Sequence, residues 1–482
     1  MSTLNSSGIQ SFGAFIPRRR LQRSAIAAAH AWAFPGLKGQ AKGERSMCGW
    51  DEDVITMAVE AGRDCLRGRS VEKLSSLTLA STTAPYADLN NAVFVGAALR
   101  LPSAAGASDV GGTTRAGLSA LIAACESGAE GERMVLASEH RTAKPASAQE
   151  MQIGSGAGAL AIGSAEDCIA RYLGSETVSV PFIDHFRKAG ADFDYAWEER
   201  WIRDEGVAKI VPAAIKRLLD RLKLGTDRVA HFGLSGGPKR SDSFVAKLLK
   251  LAPESVLPDL AAQVGDTGTA KPVLQLIDGL EKAKPGDVIV VACFAQGVEV
   301  VAFEMQKAPD NSGRRGLAGS VADRIEETAY MKLLSNDGHV DLDWGMRAET
   351  DQKTALTQLY RSSDQIFGFI GGKCGKCDAV QFPRLPNCVN CGEAETQKPF
   401  PLVDDPAKVA TYTADWLMYS PSPPLYMGLV QFQSGARVLM EIVDVGADGI
   451  DVGTELSMTF RKKERDKLRG WDRYFWKATP KA

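Results

Sequence analysis

The chain has 482 residues, 57 basic against 59 acidic, with an apolar fraction of 44%. That length suits two to four domains of roughly 100–200 residues each, with enough apolar residues for large cores. The near-cancellation of charge excludes a strong field for nucleic acid or an anionic membrane, so a phosphate-bearing ligand needs a local basic patch.

In chain order, the opening MSTLNSSGIQSFGAF has no basic stretch ahead of an apolar one and is not read as a secretory signal. Pro17-Arg18-Arg19-Arg20 is a candidate phosphate patch, with a solvated loop as the plain alternative. From about residue 8 to 306, short apolar runs (SSLTLAST, RMVLASEH, GALAIGS, DVIVVACF) alternate with helical stretches such as DEDVITMAVEAGRDCL, AGLSALIAACESG and VAKIVPAAIKRLLDRL. The runs read as buried strands and the stretches as amphipathic helices, giving an α/β layout of two halves, 1–165 and 166–307. No run approaches the ~18 apolar residues of a membrane helix, so a soluble cytoplasmic protein without a membrane partner is expected. The scattered Cys48, Cys65, Cys125, Cys168 and Cys293 read as small buried apolar residues.

APDNSGRRGLAG reads as a linker over 308–319, and a charged helical connector is expected over 320–368. A zinc ribbon is expected over 369–395: Cys374 and Cys377 form one CxxC pair, and Cys388 and Cys391 form another. Thiolates in two such pairs suit a tetrahedral site, and four closed ligands leave no open position for catalysis. The expected cofactor is therefore structural zinc. Beyond it, VATYTADWLMY, LYMGLVQFQSG, RVLMEIVDV and TELSMTFRKK read as short strands of a small β-barrel over 396–482.

These features together resemble a known combination. The C-terminal third resembles the zinc-ribbon and OB-fold domains that accompany thiolase-like enzymes acting on acyl-CoA. The first 300 residues resemble the thiolase superfamily, nearest to HMG-CoA synthase and ketoacyl synthase III. DEDVITMAVEAG at 51–62, LASTTAPYADLNNAVFV at 79–95, IDHFRK at 183–188, RVAHFGLSGGPK at 228–239 and GDTGTA at 265–270 carry that resemblance. It implies an α/β thiolase-like fold, layered α-β-α-β-α, followed by a zinc ribbon and an OB-fold. It also implies a coenzyme A thioester substrate and a homodimer through the thiolase-like body.

The resemblance places the family nucleophile five residues after Asp109, where this chain has Thr114. Thr82 stands where HMG-CoA synthases have glutamate, and His231 matches their histidine strand. Asp266 replaces an asparagine. The turn at Gln296 and Gly297 matches the oxyanion turn, with the Gln296 N–H as donor. Arg187, Tyr195 and Trp197, in a segment placed over the acyl site, and Arg18 are candidate acyl or CoA contacts. The same segment can instead be a charged lid or a dimer contact, and Asp266 can simply cap the helix after it. His30, His140, His185 and His339 read as surface or core residues, with His185 the exception to watch.

A threonine hydroxyl is far less acidic than a thiol and needs a strong adjacent base to attack a thioester. The preferred expectation is aldol or retro-aldol chemistry through a thioester enolate, with His231 as acid/base, Asp266 beside it and Thr114 holding the reacting oxygen. Acyl transfer through a Thr114 ester is the alternative. A non-enzymatic scaffold that channels an acyl-CoA intermediate to a partner enzyme is the third reading. Nucleic-acid binding by the barrel is disfavoured by the neutral charge and the lack of a basic, aromatic-studded strand face.

Overall fold

The computed structural model describes residues 7–128, 130–310, 313–349 and 355–481. Parts of the expected linker (311–312) and connector (350–354) lie outside these residues. The chain forms two compact units. One comprises Met1–Met47, Asp53–Val93 and Leu101–Tyr330; the other comprises Cys48–Glu52, Phe94–Arg100 and Met331–Ala482.

The first unit is built on nine strands. The first half supplies β1 (Ser7–Phe15), β2 (Leu74–Ala80), β3 (Gly106–Val110), β4 (Glu132–His140) and β5 (Ser155–Ser164). The second supplies β6 (Ala170–Ser179), β7 (Val229–Ser235), β8 (Val288–Phe294) and β9 (Gly297–Met305). Their order is β7-β8-β9-β6-β1-β5-β4-β2-β3, and the halves meet where Gly8 and Ile9 of β1 pair with Arg171 and Ala170 of β6. The halves repeat one plan: β2, β4, β5 and β1 lie side by side in the first and β7, β8, β9 and β6 in the second, with β2 parallel to β4 and β7 parallel to β8. The first half adds β3 outside β2. In the second half, Val256 makes a single parallel bridge to Phe232 on β7.

The strand runs are apolar because helices cover both faces. Helix α1 (Val54–Cys65) starts at Asp53, whose carboxylate accepts the Thr56 N–H at 3.0 Å while Thr56 Oγ1 accepts the Asp53 N–H at 2.8 Å. Helices α2 (Ala116–Glu126) and α4 (Lys271–Lys282) share one buried cluster with strand residues of both halves, whereas α3 (Val211–Leu222) packs chiefly on β6 and β9. Gly117 lets the first turn of α2 pass close to the Thr269 carbonyl, which a Cβ would approach to 2.5 Å. The segment ahead of α3 is a nine-residue π-helix, Ile202–Ile210, where the apolar spacing predicts ordinary α-helix. All five scattered cysteines are buried, as their composition suggested.

The expected linker is part of the first unit rather than a spacer. Gly316–Ala322 is helical, Leu317 sits in the core, and Ile325–Glu327 pairs with Arg19–Gln22. Glycines and polar residues there serve a tight buried crossing. The same pairing corrects the reading of the arginine patch. Arg18 pairs with Asp323 at 2.7 Å, Arg19 with Glu327 at 3.3 Å, and Arg20 donates to the Ser320 carbonyl at 3.0 Å.

In the second unit, Ile370–Cys374 pairs with Val380–Gln381 and Gln397–Pro401 to form a small ribbon. Five strands then close a barrel: Ala407–Asp415, Leu425–Phe432, Arg437–Ile442, Glu455–Asp466 and Trp471–Pro480. The last of these was not expected from the sequence. Its alternate side chains Tyr474, Trp476 and Ala478 are buried, and Trp476 Nε1 donates to the Phe367 carbonyl at 2.6 Å. Beside them lies a buried ion network. Arg461 meets Glu52 at 2.7 Å and Asp444 at 2.6 Å, and Lys477 meets Asp51 at 2.9 Å and Glu441 at 2.8 Å.

Candidate functional site

Parallel strands in such sheets present chemistry beyond their C-terminal ends. Between the end of β3 and the start of α2 lie Gly111 and Gly112; a Cβ on Gly111 would stand 2.8 Å from the Ser81 carbonyl, and Gly112 has φ 87°. Asp109 is a tether: its carboxylate accepts the Asn91 N–H at 2.7 Å and the Ala92 N–H at 2.9 Å. Thr114 follows, 8% exposed. Its carbonyl receives Cys293 Sγ at 3.9 Å, while its N–H and hydroxyl have no partner among the described residues. Burial pushes the Cys293 thiol up to about 12, so it stays protonated at neutral pH.

The first-half strand ends are drawn together by Glu139, a fully buried carboxylate that sequence reasoning missed. It accepts Thr82 Oγ1 at 3.0 Å, the Thr82 N–H at 3.2 Å, Thr83 Oγ1 at 2.5 Å and the Thr269 N–H at 3.3 Å. Thr82 is therefore committed to a structural network. The signal was a charge at the end of the apolar run RMVLASEH, where burial is invisible in one dimension.

Asp266 accepts the Gly268 N–H at 2.8 Å and lies 3.9 Å from Lys271 Nζ. Burial acts to raise its carboxyl, but Lys271 and Arg141 outweigh that and hold it below the ordinary value. The imidazole whose charge acts on Asp266 is that of His185. Asp266 was expected beside His231, and the structure does not place it there.

His231 is the third residue of β7, paired in register with Ile289 near the start of β8. Its Nε2 lies 3.7 Å from Asp287 Oδ2, and burial pushes its imidazole below the ordinary value against the pull of Asp287. The residue at the end of β7 is Ser235, opposite Cys293. Four residues of strand, about 13 Å, separate His231 from that end. The structure thus parts His231 from Thr114.

The turn joining β8 to β9 is forced by backbone shape. Gln296 has φ 52° and Gly297 φ 113°, and a Cβ on Gly297 would stand 1.9 Å from the Val178 carbonyl. The Gln296 N–H is not open as expected: it donates to Asp184 Oδ1 at 3.2 Å. A carboxylate oxygen sits there, so the position selects negative oxygen. The other oxygen of Asp184 takes His185 Nδ1 at 2.5 Å. His185–Phe186 pairs with Tyr195–Ala196 as a short hairpin. Arg187 donates to the Thr82 carbonyl, and Arg141 and Arg187 both pair with Asp194. Tyr195 and Trp197 remain about half exposed beside Phe186.

This architecture has known counterparts. Hydroxymethylglutaryl-CoA synthase of Aeropyrum pernix is 28% identical over 371 residues, covering 74% of this chain and 97% of that protein. The enzyme of the same name from Methanocella arvoryzae is 28% identical over 346 residues, covering 69% and 97%. Among solved structures, MvaS in complex with 3-hydroxy-3-methylglutaryl coenzyme A matches with TM-score 0.57 at 16% identity, over 68% of this chain and 91% of that one. 3-Oxoacyl-(acyl carrier protein) synthase III, FabH, of Pseudomonas aeruginosa matches with TM-score 0.55 at 20% identity, over 63% and 100%. Residues 367–397 match the family described as ChsH2, rubredoxin-like zinc ribbon domain. The chain thus pairs a thiolase-like fold, similar in sequence to hydroxymethylglutaryl-CoA synthases, with a zinc ribbon.

The ribbon of this thiolase-like chain fits its metal. The donor sulfurs of Cys374, Cys377, Cys388 and Cys391 lie within 4.8 Å of one another, with Cys374–Cys391 at 3.8 Å and Cys377–Cys388 at 3.6 Å. Four sulfurs at Zn–S distances near 2.3 Å stand about 3.8 Å apart in a tetrahedron. These four residues hold a structural zinc, and none is left over for chemistry.

Proposed function

We propose that this thiolase-like chain is an acyl-CoA enzyme that makes or breaks a C–C bond through a thioester enolate, in aldol or retro-aldol fashion, without a covalent acyl-enzyme. One observation carries the reading: at the helix start where the superfamily resemblance places the nucleophile, Thr114 offers an N–H and a hydroxyl without partners among the described residues, so none of these hydrogen-bonds its hydroxyl as a base. Such donors hold an oxygen that gains negative charge; they do not make an attacking alkoxide. The nearest thiol, Cys293, is protonated and buried. The names of the sequence relatives, and the coenzyme A ligands of the solved structures, supply the substrate class.

In this reading the α C–H bond of the thioester breaks and its electron pair moves into the carbonyl, whose oxygen rests on the Thr114 N–H. The enolate then adds to a carbonyl acceptor, or in reverse is released from a β-hydroxyacyl thioester. Incubation with acetyl-CoA and propionyl-CoA in heavy water tests it. Deuterium is expected in the acyl group by mass spectrometry while the intact protein gains no acyl mass. A stable acyl adduct on Thr114 overturns the reading in favour of acyl transfer.

A further inference from the structure

We infer that His185 is the acid/base of this site and that Asp184 is its positioning residue, an inference that rests on the acyl-CoA reading above. The enolate step needs a group to take and return the α-proton, and His231 lies about 13 Å of strand away from the strand ends where Thr114 sits.

The geometry around His185 is that of a held base. Asp184 is buried, and its two oxygens are divided between the Gln296 N–H at 3.2 Å and His185 Nδ1 at 2.5 Å. The carboxylate cannot turn without abandoning both donors. Nδ1 therefore carries the proton, and the lone pair is left on Nε2. Nε2 has no partner among the described residues, and the ring is about a quarter exposed. The same orientation logic, carboxylate to Nδ1 and free Nε2, serves proton transfer in hydrolytic triads.

Location supports the role. Asp184, the residue before His185, receives the Gln296 N–H in the turn just after Cys293, and Cys293 touches the Thr114 carbonyl. The hairpin that carries His185 is anchored to the first-half strand end through Arg187 on the Thr82 carbonyl. His140 is the other imidazole at these strand ends, and its Nδ1 is engaged by Ser155 Oγ at 3.0 Å. In the step, the His185 Nε2 lone pair takes the α-proton as the C–H electrons pass to the thioester oxygen; the imidazolium then returns that proton to the alkoxide of the adduct.

Bromoacetyl-CoA, with free coenzyme A as protectant, tests the assignment on the intact protein. The reagent places a displaceable bromide on the carbon whose proton the base would remove, so a base at that position displaces bromide and forms an N–C bond. The expected result is one coenzyme A-protectable label on His185, recovered after acid hydrolysis as the carboxymethyl isomer alkylated at Nε2. In Asp184→Asn the coenzyme A-protectable label should divide between both ring nitrogens; an unfolded chain also gives both isomers, but coenzyme A does not protect it. Protectable labelling of His140, Thr114 or Cys293 instead overturns the assignment and keeps the acyl-CoA reading. Absence of any protectable label overturns both.

Discussion

The two halves of the thiolase-like body share a strand plan but finish their strands differently. The first half closes its ends with side chains, four donors from residues 82, 83 and 269 converging on Glu139. The second half closes by backbone shape: Gly236 has φ 81° and would place a Cβ 2.0 Å from the Phe294 carbonyl, and Gly297 is equally crowded. It also reduces its third strand to one bridge, and between β6 and β7 it carries the hairpin and the π-helix. π-Helices concentrate at functional sites. One half is thus a fixed wall, and the other, freed from one strand, presents the hairpin that carries Asp184 and His185.

That contrast can be broken in several places. Gly297→Ala meets both a positive φ and a carbonyl oxygen at 1.9 Å, so a loss of about 4 kcal/mol is expected in denaturant unfolding. A loss below about 1 kcal/mol would show that the turn yields. Glu139→Ala leaves buried donors unpaired and is expected to cost about 3 kcal/mol, seen as a lower denaturant midpoint. His185→Gln, in an exposed hairpin, should leave that midpoint nearly unchanged while slowing α-proton exchange by about 10²-fold or more. Equal stability losses in these last two variants would erase the division between wall and working half.

Acid stability sharpens the comparison further. Asp266 has a carboxyl held below 3.8 in the folded state. Its contribution is complete above the unfolded value and is lost as pH falls through the folded one. Asp266→Asn should therefore flatten the acid limb of thermal stability below about pH 4 and leave neutral pH little changed. The smallest effect is expected at His231: His231→Gln should leave exchange within about twofold, because histidine general catalysis requires hydrogen-bond reach to the proton. A hundredfold loss there would restore the strand histidine to the chemistry.

Much of the fold was legible because buried strands and amphipathic helices write their periods into the chain, and because the two CxxC pairs constrain a metal directly. The site was legible only in part. Thr114 could be counted from Asp109, and IDHFRK marked the hairpin. His231 was matched by residue type without strand length: the turn glycines 236–237, not the histidine, mark the end of that strand. Glu139 stayed hidden because its partners lie 56 to 130 residues away in sequence. The arginines 18–20 looked free for a phosphate or for solvent because their acidic and carbonyl partners come some 300 residues later.

The composition of the second unit bears on how such a module is inherited. Its buried cations Arg461 and Lys477 are balanced partly by Asp51 and Glu52, which come from a five-residue stretch far upstream. A fragment starting at Met331 would bury these cations with fewer anions, and breaking such pairs typically costs about 3–5 kcal/mol. The ribbon and barrel are therefore not a detachable cassette. Any lineage that trades this tail for another, or an engineer who grafts it, must exchange the stretch at 48–52 in the same event.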